Sequence, residues 1–73
     1  NQNQLEIYPN PTDGILFLKN FNQPIDFIIY DINGRIVIEY NNYSLAQINL
    51  SELEKGIYFI QIDNSSIQKI ITY

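Results

Sequence analysis

The chain has no cysteine, histidine, methionine or tryptophan, and only three glycines and three prolines among its 73 residues. Without cysteine no disulfide can staple so small a domain, and aliphatic and aromatic packing must hold it together. Without histidine or cysteine there is no thiol nucleophile, no imidazole base and no metal-ligand cluster, so no cofactor or metal is expected. Basic residues are scarce too, with four Lys and Arg against eight Asp and Glu, a net charge of −4. A surface of that sign attracts neither nucleic acid nor anionic lipid. No apolar run approaches the roughly 20 residues of a membrane-spanning helix. The run Phe27-Ile28-Ile29-Tyr30 is typical, and membrane insertion is not expected. There is neither an initiator Met nor a signal peptide, so the chain reads as a piece of something longer.

What is abundant is β-forming residues: fifteen Ile, six Tyr and four Phe. The stretch Ile48 to Ile62, INLSELEKGIYFIQI, organises the rest. Ser51 followed by Glu54 predicts a capping box, with the Ser51 oxygen on the Glu54 N–H and the Glu54 carboxylate on the Ser51 N–H. Gly56 follows so closely that the helix can be little more than one turn, ended by positive φ at the glycine. The next residues, Ile57 to Ile62, place Tyr58, Ile60 and Ile62 on one face and Ile57, Phe59 and Gln61 on the other. A strand apolar on both faces belongs in the middle of a sheet.

Six further strands are expected. Asn1 to Gln4 is polar and reads as the end of a linker; residues 1–73 otherwise form a single domain. Leu5 to Tyr8 alternates at period two and is stopped by Pro9. Asn10-Pro11-Thr12-Asp13-Gly14 is dense in turn chemistry and reads as a rigid loop. Ile15 to Lys19 and Ile25 to Asp31 are strands separated by the loop Asn20 to Pro24. Asn33-Gly34 predicts a two-residue type I′ hairpin, which needs positive φ at both positions. Arg35 to Tyr40 returns, Asn41 to Ser44 is a loop, and Ala46 to Leu50 is a short fifth strand. Asp63 to Ser66 turns the chain into a last strand, Ile67 to Thr72. Seven short strands with turn signals between them predict an all-β fold, a small immunoglobulin-like antiparallel β-sandwich.

No catalytic residue is expected. Ser44, Ser51, Ser65 and Ser66 have neither a nucleophile-elbow context nor a basic partner. The carboxylates are scattered: Asp31 suits capping of a hairpin turn, and Asp63-Asn64 reads as a loop and not a calcium site. Asn42-Tyr43-Ser44, Asn49-Leu50-Ser51 and Asn64-Ser65-Ser66 match the glycosylation pattern, as an Asn-rich chain does by chance.

Three motifs carry more. Tyr8-Pro9-Asn10-Pro11-Thr12-Asp13-Gly14 comes first, then Ile29-Tyr30-Asp31-Ile32-Asn33-Gly34-Arg35-Ile36-Val37. The third is Ile48-Asn49-Leu50-Ser51 with Leu53 and Gly56-Ile57-Tyr58, followed by Lys69. In this order and spacing they resemble the C-terminal sorting domain, type A, of type IX secretion system substrates, over essentially the whole chain. Members commonly finish with a basic residue, whereas this chain finishes Lys69-Ile70-Ile71-Thr72-Tyr73.

The resemblance implies a signal made of folded protein. Its residues are Pro9, Asn10, Pro11, Gly14, Tyr30, Asp31, Gly34, Arg35, Gly56, Tyr58 and Lys69. Its implied partners are a covalently attached N-terminal cargo domain, the type IX translocon and shuttle components, and a cell-surface sortase. The domain would pass through the periplasm, cross the outer membrane with its cargo and reach the cell surface or the medium, where the sortase removes it. An accessible polar linker at the N-terminus and freedom from disulfides suit that route. Two other classes share the fold: a carbohydrate-binding or adhesion module, and a structural spacer between larger domains.

Overall fold

The computed structural model describes residues 5–20, 23–65 and 67–73. The expected linker end Asn1 to Gln4, Phe21 and Asn22 of the second loop, and Ser66 of the last turn lie outside those residues. Seven strands follow in order: β1 (Glu6–Tyr8), β2 (Ile15–Lys19), β3 (Ile25–Tyr30), β4 (Ile36–Tyr43), β5 (Gln47–Asn49), β6 (Gly56–Ile62) and β7 (Ile67–Thr72). All strand pairs are antiparallel. They form a three-stranded sheet in the order β1-β2-β5 and a four-stranded sheet in the order β4-β3-β6-β7. The fold is the small β-sandwich that the strand pattern predicts.

Period-two alternation fixes which face of each strand goes inward. Leu16, Leu18 and Ile48 come from the smaller sheet, with Leu50 just beyond it. Ile25, Phe27, Ile29, Tyr58, Ile60, Ile62 and Ile70 come from the larger one, and all eleven pack into one buried cluster. The expected central strand, β6, is inner, with β3 on one side and β7 on the other. Emptying a fully buried position such as Ile29 would cost about 2–5 kcal/mol.

Three local expectations are corrected. The stretch Asn41 to Tyr43 is the end of β4, not a loop. Asn42 takes φ +58°, its N–H donates to Asp26 Oδ1 at 2.8 Å, and the strand continues past this irregularity. Tyr43 then packs edge-on against Phe27, with ring centroids 5.0 Å apart, and its hydroxyl donates to the Gln47 carbonyl. Burial, with a smaller contribution from Tyr40, pushes the Tyr43 phenol above its ordinary pKa.

The hairpin between β3 and β4 is not a two-residue type I′ turn. Gly34 alone has positive φ, +82°, and Asn33 does not. The Gly34 N–H donates to the Asp31 carbonyl at 3.0 Å and the Asp31 N–H to the Arg35 carbonyl at 2.9 Å. This is a three-residue loop with glycine in the left-handed position, the next commonest hairpin solution.

The capping box is absent as well, and residues 51–55 make turns without helix. Asn49 takes the place of Glu54, its Oδ1 accepting the Ser51 N–H at 2.9 Å. The Glu54 carbonyl accepts the Tyr58 hydroxyl at 2.6 Å.

Candidate functional site

The strand directions gather the three motifs at one end of the sandwich. β3 finishes there at Tyr30 and β4 starts there at Ile36. β6 starts there with Gly56 opposite Thr72, near the end of β7. The smaller sheet brings its Ile15–Asn49 end to the same place, because Thr12, just ahead of Ile15, bridges to Thr72 at the end of β7. Glu6, paired with Lys19, lies at the far end of that sheet.

The first motif is tied to the last strand. Thr12 and Thr72 form an isolated parallel bridge. The Thr12 N–H donates to the Ile71 carbonyl at 2.9 Å, and the Tyr73 N–H donates to the Thr12 carbonyl at 3.0 Å. Asn10 extends the pairing with its side chain. Its Nδ2 donates to the Lys69 carbonyl at 2.8 Å and its Oδ1 accepts the Ile71 N–H at 3.1 Å. An amide side chain presents one donor and one acceptor, as a strand residue does, so Asn10 and Thr12 together cover the open edge of β7.

Pro9 and Pro11, both preceded by cis peptide bonds, stay exposed on this segment. Thr12 is fully buried, and its hydroxyl donates to the Ile15 carbonyl at 2.6 Å while accepting the Gly14 N–H at 3.1 Å. Gly14 is buried against Ser51, where a Cβ would meet Ser51 atoms at 3.5 Å.

The second and third motifs flank a cleft of about 550 Å³ whose walls include Asp31, Arg35, Glu52, Glu54, Gly56 and Tyr58. Asp31 organises the hairpin wall. Its Oδ1 accepts the N–H groups of Asn33 at 2.9 Å and Arg35 at 3.0 Å, and its Oδ2 accepts the Arg35 Nε at 3.1 Å. The Arg35 backbone N–H first, with help from that of Asn33 and the guanidinium, holds the Asp31 carboxyl below its ordinary pKa against the opposing effect of desolvation. On the other wall Gly56 has φ +149°, a conformation open mainly to glycine. Its N–H donates to Thr72 Oγ1 at 2.8 Å, and that hydroxyl donates to the Gly56 carbonyl at 3.2 Å. Lys55 Nζ donates to the Tyr73 backbone oxygen at 2.8 Å.

The structure therefore ties Asn10 to β7, with Pro9 and Pro11 on the same segment, sets Gly14 against Ser51, and places Asp31, Gly34, Arg35, Gly56 and Tyr58 around the hairpin and the turn before β6. Tyr30 and Lys69 stand apart from these, on the outer face of the larger sheet, in one row with Phe59 between them. Asn10, Asp31, Gly34, Gly56 and Tyr58 each carry a structural bond or backbone role, whereas the Arg35 and Lys69 side chains are exposed. Sequence reasoning gave no role to Thr12 and Thr72, which lock the first motif to the last strand, or to Asn49, which holds the Ser51 turn. A hydroxyl two residues before a glycine is the usual signal of a side-chain-capped turn, and it was present at Thr12.

Chemically this end offers shape, fixed charges and exposed apolar groups. Among the described residues no three His, Cys, Asp or Glu side chains converge to hold a metal, and no helix is long and apolar enough to cross a membrane. An all-β domain whose motifs assemble at one end presents a fixed surface there.

The comparison with known families makes the class specific. The family model described as "Secretion system C-terminal sorting domain" matches residues 6–72. The chain belongs to this family, the C-terminal sorting domains of type IX secretion, a family of sorting signals and not of enzymes. No curated protein matches the chain.

Proposed function

We propose that this domain is the folded export address of a cargo protein joined to its N-terminus, recognised in the periplasm and carried through the outer-membrane type IX translocon. The observation that carries the reading is convergence. Motifs far apart in sequence, within a family match over residues 6–72, build one end of the sandwich and lock its last strand. Glu6 lies at the opposite end of its sheet, so cargo attached ahead of it leaves the motif end unobstructed.

Pro9, Asn10, Pro11, Gly14, Tyr30, Asp31, Gly34, Arg35, Gly56, Tyr58 and Lys69 form or support the surface that the shuttle and translocon read. Most of them act by fixing its shape. At the cell surface a sortase then cuts the linker before the domain, and the cargo is anchored or released. The domain supplies no catalytic group to that step; the peptide bond ahead of it is the substrate.

The test is a fusion. Residues 1–73 at the C-terminus of a periplasm-directed reporter send it to the surface of a cell with type IX machinery, and not in a strand lacking the translocon. Retention of the complete fusion in the periplasm would overturn the reading and favour a glycan-binding or adhesion module.

A further inference from the structure

The outer face of the four-stranded sheet is largely apolar at its hairpin end, where an exposed antiparallel face is ordinarily polar. Alternation puts Ile28 and Tyr30 of β3, Ile57 and Phe59 of β6, and Ile67 and Ile71 of β7 on it, the side opposite the buried cluster, with Asp26, Glu39 and Gln61 at the end away from the hairpin. The registers Tyr30–Phe59 and Phe59–Lys69 run an aromatic pair and one cation in a single row across the sheet, with Ile57–Ile71 on a neighbouring row. Ile57, Ile67 and Ile71 are exposed. A groove of about 390 Å³ lined by Tyr30, Ile32, Phe59 and Ile67, with Asp31 and Gly34 of the hairpin, carries the apolar face onto the hairpin loop. An apolar surface this continuous marks an interaction site.

Charge identifies the occupant. Lys19 pairs with Glu6 at 3.8 Å, Arg35 with Asp31 at 3.1 Å, and Lys55 reaches the Tyr73 backbone oxygen at 2.8 Å. The Lys69 ammonium has no partner among the described residues, and it stands on the edge strand β7 at the end of the Tyr30–Phe59 row, between Ile67 and Ile71. Covering an unpaired ammonium with apolar surface is unfavourable unless the covering surface supplies a counter-charge. We propose that this face docks a protein surface that is apolar with a carboxylate placed opposite Lys69. The inference rests on the sorting reading, in which that surface belongs to the export receptor.

A second copy of the chain fits less well. Four strands spaced about 4.8 Å apart and some six residues long give a face on the order of 400 Å² in projection. That is about half of what one partner of a stable complex buries. A receptor that also grips the motif end gains the remainder.

The test uses the reporter fusion. Lys69→Glu, and separately the pair Ile67→Thr with Ile71→Thr, lower surface delivery by at least about tenfold, with the denaturation midpoint of each domain close to that of the unaltered one. Lys69→Arg recovers most of the delivery that Lys69→Glu loses. Leu45→Thr, at an exposed apolar position off this face, leaves delivery unchanged. Folded face variants exported like the unaltered domain would overturn the proposal. So would sedimentation of the purified domain as a dimer that the same changes dissociate, which assigns the face to a second copy. Failure of the unaltered fusion to leave the periplasm overturns the sorting reading instead.

Discussion

Asn10 and Lys69, 59 residues apart, are joined by a hydrogen bond of 2.8 Å from the Asn10 amide to the Lys69 carbonyl. With the return bond from the Ile71 N–H at 3.1 Å, this side chain substitutes for a strand residue along β7. Asn10→Ala removes both bonds at an exposed site and is expected to destabilise the domain by about 1–2 kcal/mol. For a domain of this size that lowers Tm by roughly 4–8 °C per kcal/mol. Amide exchange at Ile71 accelerates in the same variant. An unchanged Tm and unchanged protection at Ile71 would show that the clamp is not formed in solution.

The Gly56–Thr72 pair supports the same strand from the other side. Thr72→Val keeps the shape but removes the hydroxyl that serves both backbone groups of Gly56. The expected loss is about 1–3 kcal/mol, read from a denaturant midpoint shift at constant m-value. Gly56→Val separates conformation from space. No atom lies within 4 Å of a Cβ built there, yet φ is +149°, so the loss of more than about 1 kcal/mol comes from the backbone alone. A midpoint that stays in place would mean that Gly56 does not hold this conformation.

The hairpin makes a sharper prediction than its Asn-Gly sequence suggests. Positive φ is confined to Gly34, so Asn33→Ala changes stability by less than about 0.5 kcal/mol. Replacing the pair with Ala-Ala weakens the hairpin through Gly34 without abolishing the fold, whereas Gly34→Asn, a residue that tolerates the left-handed region, is milder. Equal sensitivity at positions 33 and 34 would restore the two-residue turn.

Asp31 gives a pH test. Its folded pKa is lowered, chiefly by the Arg35 backbone N–H, so the ionised form is the one the fold favours. Its contribution is therefore complete above the unfolded value of about 4 and is lost as pH falls through the lower folded value. Asp31→Asn flattens the acid limb of the stability curve, and NMR titration of the Asp31 carboxyl in the intact domain gives a midpoint below that of a model peptide. A midpoint at or above the peptide value would contradict the hairpin geometry.

All seven strands were legible in the sequence, because alternation between buried and exposed faces is a local pattern and the chain is rich in isoleucine. The misreadings fell where two local solutions compete and tertiary partners decide. Ser51-x-x-Glu54 offered a capping box, but in the folded turn the Asn49 Oδ1 accepts the Ser51 N–H. Asn41 to Tyr43 looked like a loop until Asp26 and Phe27 on the neighbouring strand gave the segment partners. The motif residues were legible as a set, but their convergence was not, since the Thr12–Thr72 bridge depends on two sheets already being packed. Nor did the sequence separate residues that fix the shape, such as Asn10 and Tyr58, from those that stay free to be read, such as Lys69.

The export address proposed for this domain is a folded surface completed by β7. The most direct measurement is the surface-delivered fraction of the reporter fused to residues 1–73, compared with the same fusion ending at residue 66. β7 pairs with β6 from Gly56 to Gln61 and carries the anchors for Asn10 and Thr12, so its loss unpairs an apolar edge and frees the first motif. Delivery by the complete domain is expected, with periplasmic retention of the truncated one and loss of its cooperative unfolding transition. A truncated fusion that has lost that transition but still reaches the surface as efficiently as the complete one would contradict it.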